Sequence, residues 1–291
     1  MEALSARGSR RAGKRARGVT RAGASGRTER LHGAWQCANE AAGEGRSTSL
    51  GRPDISLFFP VYKDDQTIRD LAQRALLMLS EVAEHYEVVI VDDGSPDRSG
   101  EIADELAQSD DRIRVAHHPR NLGYGAAMKR GVSLCRFDWI AMVDGDNEYD
   151  VYDLKRMLSV RHFYPLVIGF RYKKLYSALR IFISYVYNAT LRYLFRTRFR
   201  DISTGIRLIH RSVLDEVILH SDSPFIGAEL AIKAMLRGFP VGEVGIQTFP
   251  RRFGTGSATS PLNILRTMRD IYRMHREVFS DSYSLPEGRQ R

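Results

Sequence analysis

Val143-Asp144-Gly145-Asp146-Asn147-Glu148 sets acids at 144, 146 and 148, directly after the apolar run Trp139-Ile140-Ala141-Met142-Val143. The run is short and uncharged, so it reads as a buried strand. The acids then emerge together at its carboxyl end, the edge where open α/β sheets bind ligands. Carboxylates converging on one point repel unless a cation sits between them, and a hard divalent ion held by one or two carboxylates plus substrate phosphates meets that need. Two readings of the hexapeptide stand side by side: a Mg2+ or Mn2+ site for a phosphorylated substrate, and an acidic surface turn.

Upstream of this run the chain alternates as a parallel α/β sheet requires. Ile55 to Phe59 reads as a strand stopped by Pro60, and Thr67 to Glu84 carries apolar residues at helical spacing. Tyr86 to Val91 is a second strand ending in the turn Asp92-Asp93-Gly94-Ser95-Pro96, followed by a helix from Gly100 to Gln108. Arg112 to Ala116 is a third strand, and Asn121-Leu122-Gly123-Tyr124-Gly125 leads into a helix through Met128 and Val132. Acids therefore recur after the first, second and fourth strands, at Asp64 and Asp65, Asp92 and Asp93, and Asp144, Asp146 and Glu148. One acidic turn is ordinary; three on one edge of a sheet favour a ligand site over solvation.

The flanks are of another kind. The chain has 291 residues and a formal charge of +9. Residues 1–50 hold ten basic residues against four acidic ones, leaving +3 for the rest. Rich in Ala, Gly, Ser and Arg, they are expected to be disordered. They lack the apolar core of a secretory signal, and their Arg-rich, acid-poor character reads either as a transit-like peptide or as an upstream extension. A basic arm with no reading element behind it disfavours nucleic acid as the partner. Cys37 and Cys135 form no disulfide framework or metal cluster, which suits a reducing compartment. The division expected is 1–52 as a basic extension, 53–258 as a catalytic domain and 259–291 as an amphipathic helix and tail.

Carboxylates at strand ends can accept from a nucleotide's base imide or ribose hydroxyls, which makes Asp93 the first candidate and Asp65 the second. The competing reading of Asp92-Asp93-Gly94-Ser95 is a turn whose aspartates cap backbone N–H groups. Neither Gly-x-Gly-x-x-Gly after the first strand nor Gly-x-x-x-x-Gly-Lys-Ser/Thr is present, which disfavours a dinucleotide-binding dehydrogenase and a P-loop enzyme. A nucleotidyltransferase is disfavoured too, because Pro60-Val61-Tyr62-Lys63-Asp64-Asp65 supplies no Gly-rich basic phosphate loop.

Phe59-Pro60-Val61-Tyr62, Val89-Ile90-Val91-Asp92-Asp93-Gly94-Ser95-Pro96-Asp97, Asn121-Leu122-Gly123-Tyr124-Gly125 and Asp144-Gly145-Asp146 together resemble a family 2 glycosyltransferase of GT-A fold. Within that family the chain is similar to the dolichyl-phosphate mannose synthase and polyprenyl-phosphate glycosyltransferase branch, over roughly Pro53 to Ser257. The resemblance implies a mostly parallel α/β sheet and inverting transfer of a hexose from a nucleoside diphosphate sugar to a dolichyl or undecaprenyl phosphate. It implies that Pro60, Tyr62, Asp65, Asp93, Gly123, Lys129, Asp144 and Gly145 surround the sugar nucleotide. Asp144 and Asp146 belong to its D-x-D metal motif for Mg2+ or Mn2+, with Asp146 catalytic. Glu148 completes the metal set where relatives often carry Gln, and adds a negative charge.

On the acceptor side, Arg200-Asp201-Ile202-Ser203-Thr204-Gly205-Ile206-Arg207 is similar to the family's Asp-x-x-Ser/Thr-Gly-Phe-Arg segment. Arg251-Arg252-Phe253-Gly254-Thr255-Gly256-Ser257 resembles its phosphate-binding loop, with Ala258 where a lysine is usual. Arg171, Arg207, Glu229, Arg251, Arg252 and Ser257 are the expected acceptor contacts, although Glu229 reads equally as an internal partner of an arginine. Asp201 is either the base that deprotonates a sugar hydroxyl or a positioning residue beside a lipid phosphate, and those are the two acceptor classes left open.

Between Lys173 and Arg200 one or two amphipathic helices are expected, and the longest uncharged run there, Ile181 to Leu191, is too short to span a bilayer. Basic flanks with aromatic faces suit a helix lying on an anionic membrane surface; the alternative is a helix pair packed on the sheet. A second such helix follows Pro261, where Leu262, Leu265, Met268 and Tyr272 alternate with Arg266, Arg269 and Arg273. The expectation is peripheral attachment to the cytoplasmic face of a membrane. The rival from another class is a non-enzymatic membrane-surface or nucleic-acid-binding protein that uses the basic arm.

Overall fold

The computed structural model describes residues 51–172, 178–249 and 260–280. The first half follows the expected alternation: β1 (Ile55–Val61), α1 (Ile68–Val82), β2 (Tyr86–Asp92), α2 (Ser99–Ser109), β3 (Ile113–His117), α3 (Tyr124–Leu134) and β4 (Trp139–Val143). The second half continues with α4 (Asp153–Ser159), β5 (Leu166–Arg171), α5 (Ala178–Phe195), β6 (Ile206–His210), α6 (Arg211–Glu216), α7 (Ile226–Arg237), β7 (Val241–Ile246) and α8 (Pro261–Phe279). The strands form one sheet in the order β3-β2-β1-β4-β6-β5-β7. β6 runs antiparallel to both neighbours, β4 and β5, and the remaining pairs are parallel.

β1 does not stop at Pro60 but runs on to Val61. Its pairing with β4 ends at Phe58 with Met142, while pairing with β2 continues to Val61 with Asp92. Pro60 turns its carbonyl to the β4 side, where it accepts from Gly145 N at 3.3 Å. The missing proline N–H therefore falls where the ladder has already ended and costs no strand hydrogen bond.

Strand alternation divides the core between the two faces of the sheet. Ile55, Leu57, Phe59 and Val61 of β1 pack with α1, α2 and α4 residues such as Leu71, Leu106 and Leu154. Phe58 faces the other way, into a cluster with Met128, Leu191, Ile226 and Leu230. That second cluster also takes Ile271, Met274 and Val278 of α8. Cys135 is buried and unbridged, and burial raises its thiol to about 12, which leaves it inert as a nucleophile.

α5 fully buries Asn188, Leu191 and Phe195, with Tyr187 and Leu194 packed partly buried against the same cluster. Leu179, Phe182, Tyr185 and Tyr193 face outward, each more than 60% exposed. α8 buries Asp270, Ile271, Met274 and Val278 while Leu262, Leu265, Met268 and Tyr272 stand exposed. Among the described residues no helix is long and apolar enough to cross a membrane.

Candidate active site

β1, β2 and β4 end side by side, and their terminal loops are stitched together by short polar contacts. Asp64 Oδ2 accepts from Tyr62 N at 2.9 Å, and Thr67 Oγ1 donates to Gly145 O at 2.7 Å across 78 residues of sequence. With the Gly145 N to Pro60 O bond, the loop after β1 and the Asp144-Gly145-Asp146 turn form one unit. Pro60, Tyr62 and Gly145 are thereby brought together at one end of the sheet. Asp65 stands on the same loop, its N donating to Asp97 Oδ2 at 3.4 Å.

The second acidic pair divides its work. Asp92 Oδ1 accepts from Ser95 N at 3.0 Å and Oδ2 faces His117 Nδ1 at 3.0 Å. Asp93 accepts from Leu122 N at 2.9 Å and Gly123 N at 2.8 Å, and meets His118 Nδ1 at 2.7 Å. Both aspartates thus do the backbone capping that sequence offered as the alternative. Asp93 fastens the Asn121–Gly123 loop beside the end of β2 and fills three of roughly four acceptor positions on its carboxylate.

Tyr124 follows that loop and donates its hydroxyl to Asp144 Oδ1 at 2.9 Å. Burial foremost, then the neighbouring Asp144 charge, pushes this phenol well above the ordinary tyrosine value, so it stays a hydrogen-bond donor. The backbone N of Asp144 donates to Gly205 O at 3.1 Å, which ties the D-x-D turn to the segment preceding β6. Tyr124 is not among the site residues expected from sequence, although its position between two glycines is a usable signal.

The metal set is not a closed cage. Among the described residues no three His, Cys, Asp or Glu side chains converge as a metal-holding group. Asp144 faces Tyr124, Asp146 Oδ1 accepts from Glu148 N at 3.0 Å, and the Glu148 carboxylate lies 3.7 Å from Arg180 Nη2. Glu148 is 2% exposed, and the charge it adds in place of a Gln is met by that α5 arginine. The expectation of three joint protein ligands is corrected accordingly. Asp144 and Asp146, both partly exposed and hard oxygen donors, still fit a Mg2+ or Mn2+ that takes its other ligands from phosphate and water.

Two further expectations, for Arg207 and Glu229, are revised. Arg207 is no surface phosphate arm: it is 2% exposed, and its Nη2 donates to Ile202 O and Thr204 O at 2.9 Å each. Desolvation pulls its pKa down while Tyr124 and Asp144 pull it up, which makes it an internal counter-charge to the D-x-D turn. Lys129 pairs with Asp222 at 2.6 Å. Glu229 is 2% exposed, binds Lys233 at 2.8 Å and accepts from His220 N and Ser221 N, so it serves an interior cluster. Its partner is a lysine rather than the arginine anticipated.

Arg171 and Asp201, both expected on the acceptor side, grip each other in a bidentate pair, Nε to Oδ2 at 2.7 Å and Nη2 to Oδ1 at 3.0 Å. Their side chains are 6% and 3% exposed. Ser203 Oγ donates to Asp201 at 2.8 Å, and Asn188 Oδ1 accepts from Ile202 N at 3.1 Å. A carboxylate held this way has its lone pairs directed at a guanidinium, a strong and orienting arrangement. Arg251, Arg252, Ser257 and Ala258 lie outside the described residues.

Residues 56–218 match the profile of Glycosyl transferase family 2. The chain is 30% identical over 247 residues to the polyprenol monophosphomannose synthase of Mycolicibacterium smegmatis, covering 79% of this chain and 89% of that protein. It is 25% identical over 240 residues to the dodecaprenyl-phosphate galacturonate synthase of Rhizobium johnstonii, covering 81% and 69% respectively. Among solved structures, the glucosyl-3-phosphoglycerate synthase of Mycobacterium tuberculosis with Mn2+, UDP-glucose and phosphoglyceric acid superposes with a TM-score of 0.59 at 16% identity, over 85% of this chain and 83% of that one. At that identity the likeness speaks to the fold alone, which is GT-A.

Proposed function

The chain belongs to glycosyl transferase family 2, and from that membership we propose that it transfers a hexose, with inversion, from a nucleoside diphosphate sugar to a polyprenyl phosphate at a membrane surface. The observation that carries the choice of acceptor is the Arg171–Asp201 pair. A sugar hydroxyl needs a base to take its proton, and Asp201, the carboxylate singled out for that work, is committed to a guanidinium. A phosphomonoester, with a second pKa of about 6, is already largely dianionic near neutrality and attacks without one. The M. smegmatis and R. johnstonii relatives are named for polyprenyl-linked products, which supports the same acceptor class.

In this reading the loops after β1, β2 and β4 receive the nucleotide. The one acceptor position left on Asp93 suits a base imide or ribose hydroxyl, and the Gly123 loop it fastens lines the same edge. Asp144 and Asp146 would hold Mg2+ or Mn2+, which as a Lewis acid draws charge from the departing diphosphate. Tyr124 and Arg207 keep the Asp144 carboxylate aimed, the first by its hydroxyl and the second by its buried charge. Arg171 and Asp201 order the 201–205 segment, on which the acceptor approaches the anomeric carbon from the face opposite the leaving group.

The exposed faces of α5 and α8 support attachment to the membrane. Phe182, Tyr185, Leu265, Met268 and Tyr272 present aromatic and aliphatic surface, and Arg266, Arg269, Arg273 and Arg276 border it on α8. Rings entering the headgroup boundary beside arginines that meet anionic lipid would keep the site near a lipid-linked acceptor. The test is transfer of label to polyprenyl phosphate by two variants: Asp146→Asn should lose nearly all transfer while Asp201→Asn retains a measurable share. Full activity in Asp146→Asn, or complete loss in Asp201→Asn with its fold intact, would count against this mechanism.

A further inference from the structure

We propose that Asp270 of α8 is a positioning residue for the donor site, acting through Ser221 and Asp222 on the loop that seats Tyr124 against Asp144. The inference rests on the reading of Asp144 as part of that site. Asp270 is 7% exposed on a helix face otherwise made of Ile271, Met274 and Val278. Packing alone would be better served there by an apolar side chain, because a buried carboxylate is costly unless specific partners receive it. One partner is Ser221, whose Oγ donates to Asp270 Oδ2 at 2.7 Å, and Arg269 lies 3.4 Å from Oδ1.

The segment that Asp270 holds reaches the active site in one further step. Asp222 O accepts from Gly125 N at 3.1 Å. A Cβ on Gly125 would stand 2.5 Å from Ser221 O and 2.6 Å from Asp222 Cα, so this is backbone lying directly on backbone. Any shift of 221–222 must move the start of α3. On the other side the same loop is fixed by Asp93, through Leu122 N and Gly123 N. Tyr124 lies between these two attachments, and its hydroxyl reaches Asp144. Glu229 fixes the strut from α7, accepting from His220 N and Ser221 N, while α8 reaches it through Glu277, 3.9 Å from His220 Nε2, and through Asp270, which alone of these two bonds Ser221 beside the Gly125 contact.

The experiment uses the full chain and measures binding of UDP and of GDP, each with Mn2+, by calorimetry beside a thermal melt. Asp270→Ala and Ser221→Ala should each weaken the nucleotide that the unaltered chain binds by about tenfold, whereas Asp270→Asn, whose amide oxygen still accepts from Ser221, should stay within about twofold. Ile271→Ala loosens the same helix face without touching Ser221; it should lower Tm and leave nucleotide affinity unchanged. Equal affinity in Asp270→Ala, Ser221→Ala and the unaltered chain overturns the proposal alone, as does an affinity loss in Ile271→Ala equal to theirs. An unaltered chain that binds neither nucleotide overturns the donor-site reading and this proposal with it.

Discussion

A Cβ built on Gly205 would fall inside the van der Waals shell of the Asp144 carboxylate, so the glycine provides the space in which the first acid of the D-x-D turn sits. Gly205 O also accepts from the Asp144 backbone N at 3.1 Å, which fixes both ends of that residue. Replacing Gly205 with alanine must push the carboxylate away from Tyr124. A displacement of about 1 Å at a reacting centre costs on the order of a hundredfold in rate. Gly205→Ala should therefore lose about that much transfer while its melting curve stays cooperative; activity within threefold of the parent would show that Asp144 need not be held there.

Breaking the Arg171–Asp201 pair from one side strands a buried charge on the other. Arg171→Ala should destabilise the fold by about 3 kcal/mol, the scale of an uncompensated buried ion. Urea unfolding of Arg171→Ala, read beside that of Asp201→Asn, checks it. A loss below about 0.5 kcal/mol would mean that the pair behaves like an exposed one.

His117 bridges Asp92 and Asp104, and the hydrogen bond to Asp92 is the foremost cause that raises its pKa above the ordinary 6.5. A raised folded value means the contribution is complete below the unfolded pKa and is lost as pH rises through the folded one. Stability should accordingly fall between pH 6 and pH 8 by more in the parent than in His117→Gln. With the side chain 42% exposed the difference is screened and stays below about 1 kcal/mol. Denaturant midpoints at the two pH values decide it, and identical slopes with pH would refute it.

The outward faces of α5 and α8 predict binding to vesicles. Sedimentation with vesicles rich in anionic lipid should recover the chain at low salt, less of it at high salt, and little of it when Phe182, Tyr185, Leu265 and Met268 are replaced by serine. Equal recovery on neutral vesicles would remove the electrostatic half of the argument. Equal recovery of the quadruple variant would remove the apolar half.

The first four strands were legible because each is a short, β-branched stretch closed by turn residues and separated from the next by a helical repeat, and Trp139–Val143 appears with its expected bounds. The later sheet was not. β6 overlaps a segment matched only to the family's acceptor-side motif, and its antiparallel insertion between β4 and β5 reveals Ile206–His210 as a central strand. At the site, the residue types were readable but several of their partners were not. Arg171 stood out as an acceptor contact and Asp201 as a base or positioning residue, yet they lie 30 residues apart and bond each other. Lys129 and Asp222, 93 residues apart, form another such pair. Asp270 carried no signal, since what distinguishes it is its Ser221 contact from a helix that reads as a surface stripe.

The decisive experiment offers the chain a panel of labelled UDP- and GDP-sugars with Mg2+ or Mn2+ and a polyprenyl phosphate, then measures label in the organic extract. A lipid-extractable product is expected from at least one donor, dependent on the divalent ion and abolished in Asp146→Asn. Label that passes only to a water-soluble saccharide, or a lipid product that Asp146→Asn makes at full rate, would contradict it.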